Sequence, residues 1–331
     1  MTVFQIILCG LSSGKTSIKR VIFDKIQPYE VELNKTSNQY FNSKIYSFGY
    51  CKLNITEFPS SSSYQNDYKE YDKHLTICDI LIFVIDYKKY NLSTQEQTEY
   101  FKNNIIPIMS KYKSISLYIF IHTIDNYNAN SILQTQYSDE IKNSIIKTYS
   151  EMNINIDELK NKFFITSIYN STLYEAFSTI LQNLIPQKKN LPILINEFAK
   201  NSAIDNAYLF DIKNKFCLAF HNSTLKKVNV FDICLSMIDF ALEMSNIYEE
   251  NEDPNIDDLI NNNFDDELDY SLEINNYKNG LTDSKSIAFV KYIFKNLVLI
   301  SITSKEKNEK NHHLLEHNIN IFKEGILRIF I

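Results

Sequence analysis

Short apolar runs alternate with helical patterns along the first half of the chain. The run Ile80–Ile85, for example, contains no polar residue and is bounded by Asp79 and Asp86. Continuous apolar strands of this kind, separated by helices, indicate a mostly parallel sheet that is covered on both faces. The predicted strands are Phe4–Cys9, Ile45–Ile55, Asp79–Asp86, Ser116–His122 and Phe163–Thr166, and the predicted helices are Thr16–Phe23, Gln95–Lys113, Asp139–Met152 and Leu173–Leu184.

The pattern changes after a polar break at Pro186–Asn190. Beyond it, strands pair through short turns and helices carry apolar stripes, which is typical of an α+β module around an antiparallel sheet. We therefore expect two domains, residues 1–187 and residues 188–331. The predicted elements of the second domain are helices Leu191–Asn201 and Val230–Tyr248, strand pairs Ala207–Asp211 with Phe216–Phe220 and Ser286–Phe294 with Leu297–Ile302, and a terminal helix with Leu315, Ile319, Phe322, Ile326 and Ile329 on one face.

One segment of the second domain accounts for the acidity of the whole protein. Residues 249–270 hold ten acidic and no basic residues, whereas the full chain of 331 residues has a net charge of −6. Low hydrophobicity with high charge favours a disordered, solvated insertion, and a partner-docking segment is the alternative. The overall acidity argues against a nucleic-acid partner, because non-specific binding of that kind needs a basic surface.

The composition favours a soluble, cytoplasmic protein. No apolar run approaches the roughly 20 residues that span a bilayer, so we expect no membrane insertion. The five cysteines are odd in number and widely spaced, as in reduced core thiols. The chain has only five glycines, where average usage near 7% predicts about 23. A glycine in this chain therefore indicates a position that needs its backbone freedom.

Two of these glycines lie in a candidate phosphate-binding loop, Gly10–Ser17. The loop follows a predicted strand and precedes a predicted helix, so backbone N–H groups, a lysine and a helix N-terminus would meet there. Three residues separate the glycines instead of the usual four, and Cys9 stands where the first glycine would fall. A chance Gly-Lys-Thr is the alternative. The candidate ligands of the phosphates are Gly10, Ser12, Ser13, Gly14, Lys15, Thr16 and Ser17.

A candidate reader of the base follows a later strand. The carboxylate of Asp125 could accept hydrogen bonds from both N1–H and the exocyclic amine of guanine, an edge that adenine lacks. Ser167 and Ile168 follow the next strand and could support the base through backbone and hydroxyl groups. An aspartate after a strand is more often a simple loop or cap residue, so this assignment depends on the phosphate loop.

Several segments together resemble the Rag family of small GTPases, and in particular its C/D-type members, the Gtr-type proteins of fungi. The resemblance runs from residue 4 to about residue 248. The matching segments are Gly10–Ser17, Leu33–Asn38, Glu57–Pro59, Phe83–Asp86, Ile121-His122 with Asp125, Phe163–Tyr169, Tyr174–Phe177, Leu184–Gln187 and Ala207–Asp211.

The resemblance implies a Ras-like P-loop GTPase domain followed by a roadblock/longin-like domain. It implies GTP or GDP and Mg²⁺ as ligands and an obligate heterodimer with an A/B-type Rag GTPase. In the family, a Ragulator- or EGO-like scaffold complex recruits the pair to the vacuolar or lysosomal surface, where it signals amino-acid sufficiency to TOR complex 1.

The same resemblance assigns roles to individual residues. Lys15 matches the phosphate lysine, Thr16 the Mg²⁺ hydroxyl, and Thr36 the switch I threonine that senses the γ-phosphate through Mg²⁺. Glu57 can hold Mg²⁺ through water, and Asp125 matches the guanine reader. His122 stands where this subclass has histidine rather than asparagine, and Thr123 replaces the lysine whose stem stacks on the base.

The switch II segment departs furthest from the family pattern of acidic-x-Pro-Gly-Gln. Ser60 replaces the glycine, and Ser61 replaces the glutamine that orients the attacking water. We therefore assign no catalytic residue and expect very slow unaided hydrolysis, since even Ras-type proteins reach only about 10⁻⁴ s⁻¹ without a partner. Two alternatives stay open: a pseudo-GTPase scaffold that no longer cycles nucleotide, and an adenine-nucleotide P-loop enzyme.

Overall fold

The computed structural model describes residues 2–11, 13–33, 41–86, 96–123, 131–150, 159, 161–222, 230–248, 270–275 and 285–330. By its internal contacts the chain divides into two compact units, Met1–Ala176 and Phe177–Ile331.

The first unit is built on a mostly parallel sheet of six strands in the order β2-β3-β1-β4-β5-β6. Only the pairing of β2 with β3 is antiparallel. This confirms the predicted α/β sheet. The strands are β1 (Val3–Cys9), β2 (Asn42–Ser47), β3 (Lys52–Glu57), β4 (Ile80–Asp86), β5 (Ser116–Thr123) and β6 (Phe163–Ser167).

Helices connect the strands of this sheet. All seven residues of β4, near the middle of the sheet, are buried, as the uninterrupted apolar run predicts. A π-helical turn, Phe101–Ile105, precedes α4, whose Pro107 lacks the N–H needed for a regular helical ladder. The helices are α1 (Lys15–Ile22), α2 (Pro28–Leu33), α3 (Tyr68–Leu75), α4 (Ile106–Lys111), α5 (Ser131–Ser150) and α6 (Thr172–Leu184).

The topology of this sheet brings distant parts of the sequence to one edge. After β1 the chain continues to β3 on one side, and it later crosses to β4 on the other side. The carboxyl ends of β1, β3, β4, β5 and β6 therefore lie along the same edge, and the order of the strands reverses direction at β1. Ligands of open α/β sheets bind at such an edge, beside the reversal.

The second unit is built on a wholly antiparallel sheet in the order β8-β7-β11-β10-β9. This confirms the predicted α+β module, and Leu315, Ile319, Phe322 and Ile326 of the terminal helix are buried. Its elements are a 3₁₀ turn (Pro186–Lys189), α7 (Asn190–Asn201), β7 (Asn206–Asp211), β8 (Phe216–Asn222), α8 (Val230–Tyr248), β9 (Tyr270–Asn275), β10 (Lys285–Phe294), β11 (Leu297–Ser304) and α9 (Lys305–Phe330).

The prediction of one strand over Ile45–Ile55 is wrong. The structure has two antiparallel strands, β2 and β3, joined by a turn in which the N–H of Phe48 donates to the carbonyl of Cys51 at 2.8 Å. Both of these residues are buried, so the turn does not interrupt the apolar pattern from which a strand is predicted. The helix predicted over Asp139–Met152 begins earlier, at Ser131.

The second half of α6 belongs to the second unit. The amide of Cys217 in β8 donates to the Ser178 hydroxyl at 2.9 Å, and the Gln182 amide donates to the Cys217 carbonyl at 2.8 Å. The division by contacts thus falls inside α6, whereas the expected domain boundary after residue 187 stays a prediction. The acidic segment lies outside the described residues except for Tyr270, which begins β9.

Among the residues that the structure describes, no helix is both long enough and apolar enough to cross a membrane.

Candidate functional site

The turn after β1 requires both of its glycines. Gly10 has φ 139° and Gly14 has φ 83°, values that side-chain-bearing residues rarely adopt. A Cβ at Gly10 would lie 2.1 Å from the carbonyl oxygen of Val84, and one at Gly14 would lie 2.8 Å from Cδ2 of His122. The backbone therefore passes directly against two neighbouring strands, and no larger residue fits at either position.

Groups suited to an anion converge inside this turn. Lys15 is only 3% exposed, and its ammonium donates to the carbonyl of Gly10. The hydroxyl of Ser13 is fully buried and has no hydrogen-bond partner among the described residues. Helix α1 begins at Lys15, and the N–H groups of its first turn have no partner within the helix. A buried cation, an unsatisfied hydroxyl and a helix N-terminus together favour a phosphate group.

Thr16 and Glu57, the two described candidates for binding Mg²⁺, contact each other. The Thr16 hydroxyl donates to Oε1 of Glu57, which is buried at the carboxyl end of β3. Mg²⁺ prefers oxygen ligands and is usually held by one or two protein groups together with substrate phosphates. This pair beside the phosphate turn fits such an ion. Among the described residues no cluster of three His, Cys, Asp or Glu side chains could hold a metal ion without that help.

Lys19, one turn after Thr16 on α1, is a buried neighbour of this pair that the sequence analysis did not single out. Burial lowers the pKa of its ammonium, and the negative charges of Glu57 and Asp24 partly oppose this. Its position three residues after Thr16, on the same face of the predicted helix, was the sequence signal that could have identified it.

His122, at the carboxyl side of β5, packs against the phosphate turn. Its ring is fully buried, and Nδ1 lies 3.0 Å from the Thr166 hydroxyl of the neighbouring strand β6. Burial lowers the pKa of His122 to about 4, so the ring is neutral at physiological pH. Nε2 has no hydrogen-bond partner among the described residues. The histidine therefore supports the turn at Gly14 as a neutral, space-filling group.

The remaining candidates are only partly described. Ser167 ends β6 opposite Thr123 of β5, its hydroxyl accepts from the N–H of Tyr169 at 3.2 Å, and Ile168 is buried. Ser17 is half-buried in the first turn of α1. The structure thus brings one group of candidates to the carboxyl edge, namely Gly10, Ser13, Gly14, Lys15, Thr16, Ser17, Glu57, His122, Ser167 and Ile168. Ser12, Thr36 and Asp125 lie outside the described residues.

The segment after Glu57 is fixed at both ends. The N–H of Phe58 donates to the carbonyl of Leu8 at 2.9 Å, and the Phe58 ring packs on Tyr71 with centroids 4.5 Å apart. At the other end, the Ser62 hydroxyl donates to the Pro59 carbonyl at 2.8 Å and lies 2.9 Å from the Tyr71 hydroxyl. Residues 59–62 therefore form a short turn between two buried anchors.

A residue of the π-helical turn holds the chain just beyond this segment. Oδ1 of Asn104 accepts from the N–H of Tyr64 at 2.6 Å, and its Nδ2 donates to the carbonyl of Tyr100 at 3.0 Å. Asn104 is only 3% exposed. The sequence did not predict this contact, although an asparagine between the apolar residues Phe101 and Ile105 was a signal. On the surface nearby, Lys111 pairs with Asp72 of α3 at 2.6 Å.

Comparison with known proteins identifies the family of this chain. A family model, the Gtr1/RagA G protein conserved region, matches residues 5–238. The chain belongs to the Gtr1/RagA family of G proteins. The proteins of this family are GTPases, and the chain is of the C/D, or Gtr2-like, type.

Curated relatives match nearly the whole of this Rag-family chain. It is 28% identical to GTP-binding protein gtr2 of Schizosaccharomyces pombe, over 98% of each chain. It is 27% identical to Ras-related GTP-binding protein C of Homo sapiens, over 98% of this chain and 76% of that one. Ras-related GTP-binding protein A of Dictyostelium discoideum matches only 66% of this chain, at 26% identity, and 70% of its own length.

Replacement of Asn104 by alanine tests the contact that holds the segment after switch II. The change leaves the buried Tyr64 N–H without its partner, and we expect it to cost about 1–3 kcal/mol of unfolding free energy. Hydrogen exchange at the Tyr64 amide should quicken. The neighbouring Asn103 is exposed, and the matched variant Asn103→Ala should change the free energy by less than about 0.5 kcal/mol. Equal effects of the two variants would contradict the assignment.

The buried histidine of this Rag-family protein predicts acid sensitivity. The folded chain protonates His122 near pH 4, whereas the unfolded chain does so near pH 6.5, so the unfolded state binds more protons between these values. Stability should therefore be complete above pH 6.5 and fall toward pH 4, by roughly 3 kcal/mol in total. Denaturant titrations would measure the free energy of unfolding of His122→Asn and of the wild type at several pH values. Between pH 4 and 6.5 the slope of this free energy against pH should be smaller in the variant by the equivalent of up to one proton, and above pH 7 the two slopes should agree. An unchanged slope between pH 4 and 6.5 would refute this.

Proposed function

We propose that this chain is the guanine-nucleotide-binding switch subunit, of C/D type, in a Rag-type heterodimer that signals amino-acid sufficiency to TOR complex 1. Its partner would be an A/B-type Rag GTPase. A Ragulator- or EGO-like scaffold would recruit the pair from the cytoplasm to the vacuolar or lysosomal surface.

The observation that carries the nucleotide part of this proposal is the convergence at the carboxyl edge of the sheet. Two glycines that no other residue can replace bring the buried Lys15 ammonium next to the Thr16–Glu57 pair. Lys15 would hold the phosphate oxygens, and Thr16 and Glu57 would hold Mg²⁺, directly or through water. When bound, Mg²⁺ neutralises phosphate charge and keeps the β- and γ-phosphates in one geometry.

The switching part rests on the residues that would sense the γ-phosphate. Binding of the γ-phosphate would order Thr36 and the segment Glu57–Ser61, and this ordering would change the surface that partners meet. Ser61 carries no amide with which to orient water, so hydrolysis would be slow and would depend on a partner. The predicted activity is therefore a slow GTPase, with no catalytic residue assigned within this chain.

The partner assignment has its own support. The relatives include both the C-type and gtr2 proteins and the more distant A-type and gtr1 proteins, as expected of the two halves of a heterodimer. The antiparallel unit that follows the Ras-like unit fits the roadblock-type dimerisation domain of the family.

Titration of fluorescent GTP and GDP tests the nucleotide site. We would use the full-length chain, purified with an A/B-type partner whose own nucleotide site has been inactivated. Saturable binding that depends on Mg²⁺ is expected, and Lys15→Ala should abolish it, because the phosphates lose their only described buried cation in the turn. Lys73→Ala, which removes a lysine that is 66% exposed and paired with Glu70 on α3, is the matched control and should bind normally.

The same titration separates the switch from a scaffold. The short phosphate loop and the serines at positions 60 and 61 favour a subunit that no longer cycles nucleotide. If the heterodimer is intact and neither nucleotide binds, the switch proposal is wrong and the scaffold alternative stands.

The base assignment has a separate test. A carboxylate at Asp125 would accept two hydrogen bonds from guanine, so Asp125→Asn should lower the affinity for GDP and raise that for the xanthine diphosphate. Competition between the two nucleotides for the labelled site measures this preference. Guanine selectivity that survives the substitution would show that another group reads the base.

A further inference from the structure

We propose that the Ser60 hydroxyl selects against the nucleoside triphosphate by occupying the phosphate lysine. The inference rests on the proposed nucleotide site and goes beyond it, because it assigns the discrimination between GDP and GTP to one side chain in which this chain departs from the family pattern. In this proposal Ser60 does more than remove the flexibility of a glycine, because its hydroxyl binds Lys15.

The contact itself is direct. Oγ of Ser60 accepts a hydrogen bond from Nζ of Lys15 at 2.9 Å, across 45 positions of sequence. The ammonium is almost completely buried, and the serine is half-buried above it. A hydrogen bond to a charged group that is shielded from water is stronger than a neutral one, because little solvent competes for the donor.

The surrounding chain fixes Ser60 in this position. The turn of residues 59–62 is anchored by the buried ring of Phe58 on one side and by the Ser62 hydroxyl on the other. Pro59, immediately before Ser60, is buried and restricts the backbone further. The anchored turn therefore holds the Ser60 hydroxyl next to Lys15.

Counting the donors of the lysine gives the consequence. An ammonium has three N–H donors, and the Gly10 carbonyl and the Ser60 hydroxyl accept two of them. At most one donor is left for phosphate. A diphosphate can take that donor with its β-oxygen, whereas a triphosphate presents β- and γ-oxygens to the same lysine. To give a γ-oxygen its own donor, Lys15 has to leave one of these two acceptors. The Gly10 carbonyl belongs to the backbone of the tight turn, whereas the Ser60 hydroxyl can turn away by rotation of its side chain, so Ser60 is the acceptor that is released.

A series of substitutions at Ser60 tests the proposal on the full-length chain. The dissociation constants for fluorescent GDP and for a fluorescent non-hydrolysable GTP analogue would be measured with Mg²⁺, and their ratio compared between variants. Ser60→Ala removes only the hydroxyl, Ser60→Gly also removes the side-chain carbon, and Ser60→Thr keeps a hydroxyl. Ser63→Ala is the matched control, because the Ser63 hydroxyl accepts from the Asn66 N–H instead of from Lys15.

We expect Ser60→Ala and Ser60→Gly to shift the ratio toward the triphosphate by about threefold to tenfold, and Ser60→Thr and Ser63→Ala to keep the wild-type ratio. An unchanged ratio in Ser60→Ala, or a shift toward the diphosphate, would overturn this inference while leaving the nucleotide site intact. If the wild-type chain binds neither nucleotide, the inference and the nucleotide part of the proposed function both fail.

Discussion

The Lys15 ammonium lies almost wholly out of water, and a buried cation is costly unless polar groups replace its lost hydration. In the described structure its acceptors include a backbone carbonyl and a serine hydroxyl, both of them neutral. Neutral acceptors compensate a full charge less well than an anion does. The turn at Gly10 and Gly14, the start of α1 and the segment after β3 together position this one group.

The features that could be predicted are those that depend on residues close together in the sequence. Strand β4 was predicted because six of its seven buried residues, Ile80–Ile85, are apolar, and Gly10 and Gly14 were predicted because a turn with positive φ selects glycine locally. The turn between β2 and β3 was missed because Phe48 and Cys51 are buried. The apolar pattern continues through the turn, and Gly49, one of only five glycines, was the local sign of a reversal.

The contacts that shape the site were not predictable, since they join residues far apart in sequence. Ser60 meets Lys15 across 45 positions, and Asn104 meets the Tyr64 amide across 40. The residues next to Asn104 in sequence do not indicate that Tyr64 is its partner. The side chain lies in the π-helical turn just before Pro107, and from there it bonds both the Tyr64 N–H and the Tyr100 carbonyl. The family pattern located the Ser60 and Ser61 replacements, but only the folded chain shows that one of these serines has a partner.

The anchors around switch II limit how far a bound nucleotide can move the chain. Phe58 lies in an aromatic cluster with Tyr71 and Phe41, and its ring meets theirs edge to face at 4.5 and 5.0 Å, so the start of the segment is packed into the core. Beyond it, Asn104 fixes the backbone at Tyr64. Within switch II, the part that can respond is then the few residues between these anchors. A movement confined to so short a turn changes only a small surface. Such a surface is best recognised by a partner that is already held in place, as the proposed heterodimer would hold it.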